Sequence, residues 1–143
     1  QRFSALFAPE LLQTVDCCLS IGTFKRTLLK QDPLISAALK NLYGLLPRAK
    51  YRARSPHSRG QLHRPSVAAV LQDVYGCIGH LFQGAIVDVT LRLVSPDWRP
   101  DRGQTIDCQQ IIWGDSLLQV DQLACQVCNE PLPDYLQALL RLE

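Results

Sequence analysis

Apolar residues recur at helical spacing near the start of the chain. Leu11, Leu12, Val15, Cys18 and Leu19 fall on one face, Pro9 suits a first turn, and Gly22 is a stop. This pattern predicts a helix over residues 1–21. A short second helix is expected over 23–31, with Lys25, Arg26 and Lys30 outward. Asp32-Pro33 reads as a third start, because Asp caps free N–H groups and Pro tolerates the first helical position. Leu34, Ile35, Ala38, Leu39 and Leu42 then form its buried stripe, which Gly44 and Pro47 end.

Helical spacing returns over residues 65–81, where Val67, Val70, Leu71, Val74 and Ile78 make a stripe. The period then changes. Over residues 84–94, Val87, Val89, Leu91 and Leu93 alternate with Asp88, Thr90 and Arg92, the mark of a strand with one wet face. Residues 95–103 read as a loop from their Pro, Asp and Gly content. A second strand is expected over 105–113, with a hairpin turn at Gly114-Asp115 into a third over 116–120. Asp134, Tyr135, Leu136, Leu139 and Leu140 predict a closing helix. Together these elements give an α+β fold: a helical N-terminal half packed on a small antiparallel sheet, with a C-terminal helix. An OB-like barrel is one arrangement of such strands.

Residues 48–65 interrupt the periodicity. Residues 48–64 carry Arg48, Lys50, Arg52, Arg54, Arg59 and Arg64, with Tyr51 among them and no acid. A connection this long is usually functional or disordered, so a flexible basic arm is expected. Charge changes sign beyond it. Residues 1–72 hold 11 Lys+Arg against 3 Asp+Glu; residues 73–143 hold 4 against 10.

At 143 residues, 47% hydrophobic and 20% charged, the composition is that of one globular domain. No apolar run approaches the roughly 20 residues of a membrane span. Methionine is absent, also at position 1, which reads as a fragment of a larger protein. The six cysteines allow three disulfides, but the chain is long and apolar enough to fold without them. Reduced cysteines in a nuclear or cytoplasmic protein are therefore expected.

Two short spacings carry candidate chemistry. Cys77-Ile-Gly-His80 and Cys125-Gln-Val-Cys128 each present two ligands in the spacing that zinc favours, so the four could form a closed structural site. The opposing reading packs the thiols as ordinary core and needs no cofactor. Asp97, Asp101, Asp107 and Asp115 are interleaved with Arg99 and Arg102, which points to local ion pairs rather than a metal or acid–base site. No nucleophile elbow, phosphate loop or dinucleotide fingerprint occurs, so no catalytic residues are expected and the chain does not read as an enzyme.

The function expected from these features is a non-catalytic protein-interaction or scaffolding domain, with Trp98 and Arg99 as partner-binding candidates. The alternative is a nucleic-acid or phosphate-binding module using Arg48, Lys50, Tyr51, Arg52, Arg54, Arg59 and Arg64. A third reading is a secreted, disulfide-bonded helical protein.

Overall fold

The computed structural model describes all residues except 1, 2, 4, 30, 31, 53–59 and 143, and the side chains of 29 and 32. Among the described residues the fold is α+β. Five strands, β1 (Leu19–Leu29), β2 (Asp32–Ser36), β3 (Gly84–Val94), β4 (Gln104–Asp107) and β5 (Ile111–Gly114), form one sheet. Five α-helices accompany it: α1 (Ala38–Asn41), α2 (Arg48–Tyr51), α3 (Val67–Ile78), α4 (Leu117–Val127) and α5 (Asp134–Leu140).

The sheet is open and mixed. Its order is β2-β1-β3-β4, with β5 also paired to β3. β1 and β3 run parallel; the other pairs are antiparallel. No closure into an OB-like barrel occurs among the described strands.

The N-terminal half departs most from expectation. Residues 10–13 make only a 3-10 turn, and Leu11 of the predicted stripe is 66% exposed. The next eleven-residue stretch, predicted to be helical, is strand β1. Its β-branched Ile21, Thr23 and Thr27 favour extended backbone. Phe24 on the opposite face is fully buried. Asp32-Pro33 opens a strand instead of a helix. β2 is an edge strand, where the missing Pro33 N–H leaves no gap in the sheet's ladder.

The middle of the chain follows its sequence pattern closely. α3 buries Val67, Val70, Leu71, Val74 and Ile78, and Ser66 caps it by accepting from Ala69 N at 3.1 Å. β3 has the predicted bounds, and Val87 and Val89 are fully buried. Beyond them the alternation inverts. Thr23 pairs with Asp88, yet Lys25 pairs with Leu93 five positions further along β3. That irregularity leaves Leu91 59% exposed and turns Arg92 inward.

The stretch expected as one strand over 105–113 is two strands, β4 and β5, separated by Cys108, Gln109 and Gln110. The expected strand at 116–120 belongs to helix α4. Ser116 caps that helix by accepting from Gln119 N at 3.3 Å, and Leu117, Leu118, Val120, Asp121, Ala124 and Cys125 are buried. α4 packs on β3, α1 and α5, and α5 packs on α3. The core lies between these helices and one sheet face. On the other face Ile21, Ile86 and Trp113 line up across β1, β3 and β5, with Ile21 62% and Trp113 77% exposed.

Candidate anion-binding cleft

Alternation along β1 places Thr23, Lys25 and Thr27 on one face. Across the β1–β2 hairpin, Ser36 lies opposite Lys25 and Leu34 opposite Thr27. The chain then turns into α1, which carries Lys40 and Asn41. Lys40 Nζ donates to Ser36 Oγ at 2.8 Å. Arg48, His63 and Trp98 approach from later segments. Together these residues line a cleft of about 740 Å³ that also takes in Tyr43 and Pro100.

The turn bearing Lys40 is held firmly. Helix α1 has Ala37 before it and no cap of its own. Its first two N–H groups instead donate to Asp121 of α4: Ala38 N to Oδ1 at 2.7 Å and Leu39 N to Oδ2 at 3.0 Å. Ser20 Oγ donates to Ala38 O at 2.8 Å, and Asn41 Nδ2 donates to Ile21 O at 2.8 Å. Two sheet contacts and one long-range carboxylate therefore fix where the ammonium emerges.

Charge in the cleft is of one sign. Lys25, Lys40, Arg48 and His63 line it, and among the described residues no Asp or Glu does. The ion pairs among the described residues involve Arg26, Arg92 and Arg102, none of which is in the cleft. Burial, with the neighbouring Lys25 charge, pulls the Lys40 pKa below its ordinary 10.5. Partial burial and the Lys40 charge likewise hold His63 below 6.5. Like charges gathered without a counter-charge repel, and an anion between them relieves that repulsion. Perturbed titration of grouped cations in a concave site is a mark of functional sites.

A family model described as a domain of unknown function, DUF362, matches residues 1–126. The chain belongs to the DUF362 family. No curated protein and no solved structure matches it. Every residue lining the basic cleft falls within the DUF362 match, and residues 131–135 lie past it.

The DUF362 chain disperses the predicted basic arm. Arg48 joins the cleft. Lys50 Nζ sits 4.6 Å from the centroid of the Phe7 ring. Tyr51 is only 4% exposed; its hydroxyl accepts from Phe7 N and its ring meets Phe3 edge-on, so it is packed away rather than offered to a base. Arg52 is exposed, with its carbonyl bonded to Gln61. Arg64 is exposed at the far end of the tract. Arg54 and Arg59 lie outside the described residues.

The cysteine pairs are not gathered. No group of three or more His, Cys, Asp or Glu among the described residues is placed to hold a metal ion. Cys77 is half-buried on α3 with its Sγ 3.9 Å from Phe3 O, and His80 is exposed. Cys125 and Cys128 are buried, and burial pushes their thiols up to about 12 and about 11. All six cysteines are free. Arg102 pairs with Asp97 at 3.1 Å, the local ion pair the sequence suggested.

Trp98 lines the cleft, with the Arg99 guanidinium 5.5 Å from its ring centroid, so of this predicted pair only the tryptophan reaches the site. Sequence reasoning missed Lys25, Lys40 and His63. The signal was Thr23-x-Lys25-x-Thr27, a period-2 polar face that a helical reading hides.

Proposed function

We propose that this domain is a non-catalytic binding module for an anionic ligand, held by a phosphate or carboxylate group in the basic cleft. The supporting observation is two lysines, an arginine and a histidine lining one cleft with no acid among the described residues, and with Lys40 half-buried and bonded to a neutral hydroxyl. Of the basic tract's described cations this reading keeps Arg48; it adds His63 from within the tract and Lys25 and Lys40 from outside it.

Calorimetric titration with sulfate, whose charge is constant near neutrality, tests the reading. Lys40→Gln and Arg48→Gln should each weaken binding roughly tenfold or more, the scale of a charge-assisted hydrogen bond. Lys50→Gln, at the Phe7 ring, should have little effect. A bound anion favours the imidazolium of His63. Affinity should therefore rise as pH falls and level off below the free His63 pKa, itself under 6.5. His63→Gln should remove that dependence. Equal affinity in all four variants would overturn the proposal.

A second reading, a protein-interaction domain, has separate support. Ile21, Ile86 and Trp113 form an apolar row on the open sheet face, flanked by the exposed Leu19 and Ile111. Exposed apolar surface of this kind marks contact sites. A second copy of the chain is the occupant proposed here, because an apolar face can pack on its own two-fold mate. Light scattering should show concentration-dependent dimers that Trp113→Asp abolishes. A wild-type chain that stays monomeric throughout would remove this reading.

A further inference from the structure

The basic cleft does not end in solvent on every side. A second depression of about 410 Å³ abuts it, formed where β2, the start of α3 and the segment before α5 meet. Leu34 and His63 line both. The second depression is walled by Pro33, Pro65, Pro131, Pro133, Val67 and Leu132. Four prolines have a chemical consequence. They carry no N–H, so the main chain of this wall offers few donors as well as apolar side chains. Among the described residues Asp134 is the one acid there, and the cleft has none.

The two depressions thus differ in what they accept. One is lined by Lys25, Lys40, Arg48 and several hydroxyls; the other is lined mainly by prolines and aliphatic side chains, with Ser66, Tyr135 and one carboxylate, Asp134, that repels anions. A ligand spanning both would place its charge in the cleft and its hydrocarbon in the proline-walled groove. Each volume is within the range of small-molecule sites.

We propose that the two depressions are one site for an anionic amphiphile, a single alkyl chain bearing a phosphate or carboxylate, bound as a free monomer. The head lies among Lys25, Lys40, Arg48 and His63, and the chain passes Leu34 into the groove. This rests on the anion-binding reading of the cleft and adds the class of ligand. The groove's far wall, residues 131–135, lies outside the stretch matched by the family.

The test is titration with inorganic phosphate, then n-butyl, n-hexyl and n-octyl phosphate, each below its micelle concentration. Burial of each added methylene should tighten binding about twofold to fourfold until the groove is full. Ala68 of α3 also lines the groove, so Ala68→Phe, which fills it, should flatten that series while leaving inorganic phosphate binding in place. Leu132→Gln should do the same more weakly and guards against misfolding of the first variant. Lys40→Gln should weaken the whole series. Equal affinity for phosphate and octyl phosphate would overturn this inference and leave the cleft reading standing. Binding of octyl phosphate that ignores Lys40→Gln would also overturn it, as apolar adsorption. Absence of binding across the series overturns both.

Discussion

Glu130→Ala should destabilise the fold by about 3–5 kcal/mol in urea denaturation, the usual cost of removing one partner from a buried ion pair. Glu130 follows α4 and is reached by two arginines. Arg26 Nε of β1 lies 3.3 Å from Oε2, and Arg92 Nη1 of β3 lies 2.8 Å from Oε1. The Glu130 side chain is 8% exposed, and the side chains of Arg26 and Arg92 are 23% and 14% exposed. Arg92 also donates to Cys128 O, and Arg26 to Ser95 O. Without Glu130 two guanidinium groups keep their desolvation and lose their counter-charge. Arg92 already has one buried nitrogen, Nε, with no partner among the described residues. Glu130→Gln retains an acceptor and should lie between wild type and alanine. Replacing all three members, Arg26→Met, Arg92→Met and Glu130→Met together, should recover much of the loss, because apolar isosteres replace buried ions at little cost. A loss below about 1 kcal/mol for Glu130→Ala would mean that the triad is solvated.

The second large effect is at Asp121. Asp121→Ala leaves the Ala38 and Leu39 N–H groups without their acceptor in a buried position, so a loss of about 2–4 kcal/mol is expected. The same change frees the turn that presents Lys40 and should weaken anion binding. Stability should also depend on pH through this carboxyl. Burial raises its pKa from 3.8 to about 7, against the pull of the two N–H bonds. Between those values the folded state binds more protons than the unfolded state. Stability from this group is therefore full below about pH 4 and is lost as pH rises through about 7. Denaturation midpoints should follow that slope in wild type and lack it in Asp121→Ala. A midpoint for Asp121→Ala equal to wild type at every pH would show that α1 needs no such cap.

Both residues were invisible as determinants in the sequence. Glu130 stood beside a Cys-x-x-Cys pair and looked like loop. Asp121 stood just past a segment, 116–120, expected to be strand, although Ser116 and the three-to-four spacing of Leu117, Val120 and Ala124 mark a helix. A lone acid on that buried stripe was the available sign of a long-range polar contact.

The sequence by itself determined the elements whose periodicity is unambiguous. The α3 stripe and the inner face of β3 satisfy one period only, and α5 follows Pro133 with a clear apolar face. The α+β class follows from such elements. The N-terminal half was different. Leu11, Leu12, Val15, Cys18 and Leu19 satisfy a helical template, while the residues from Leu19 onward also satisfy a strand. Local propensity does not choose between them; pairing of β1 with both β2 and β3 does. That pairing is non-local, and with it come the parallel β1–β3 contact, the inward turn of Arg92 and the cleft. Lys25, Lys40, Arg48 and His63 are spread over 39 positions of chain, with no motif spacing to link them. Only the tertiary structure brings them to one wall, because strand alternation sets the direction of Lys25 and a carboxylate 83 residues away from Ala38 anchors the turn that carries Lys40.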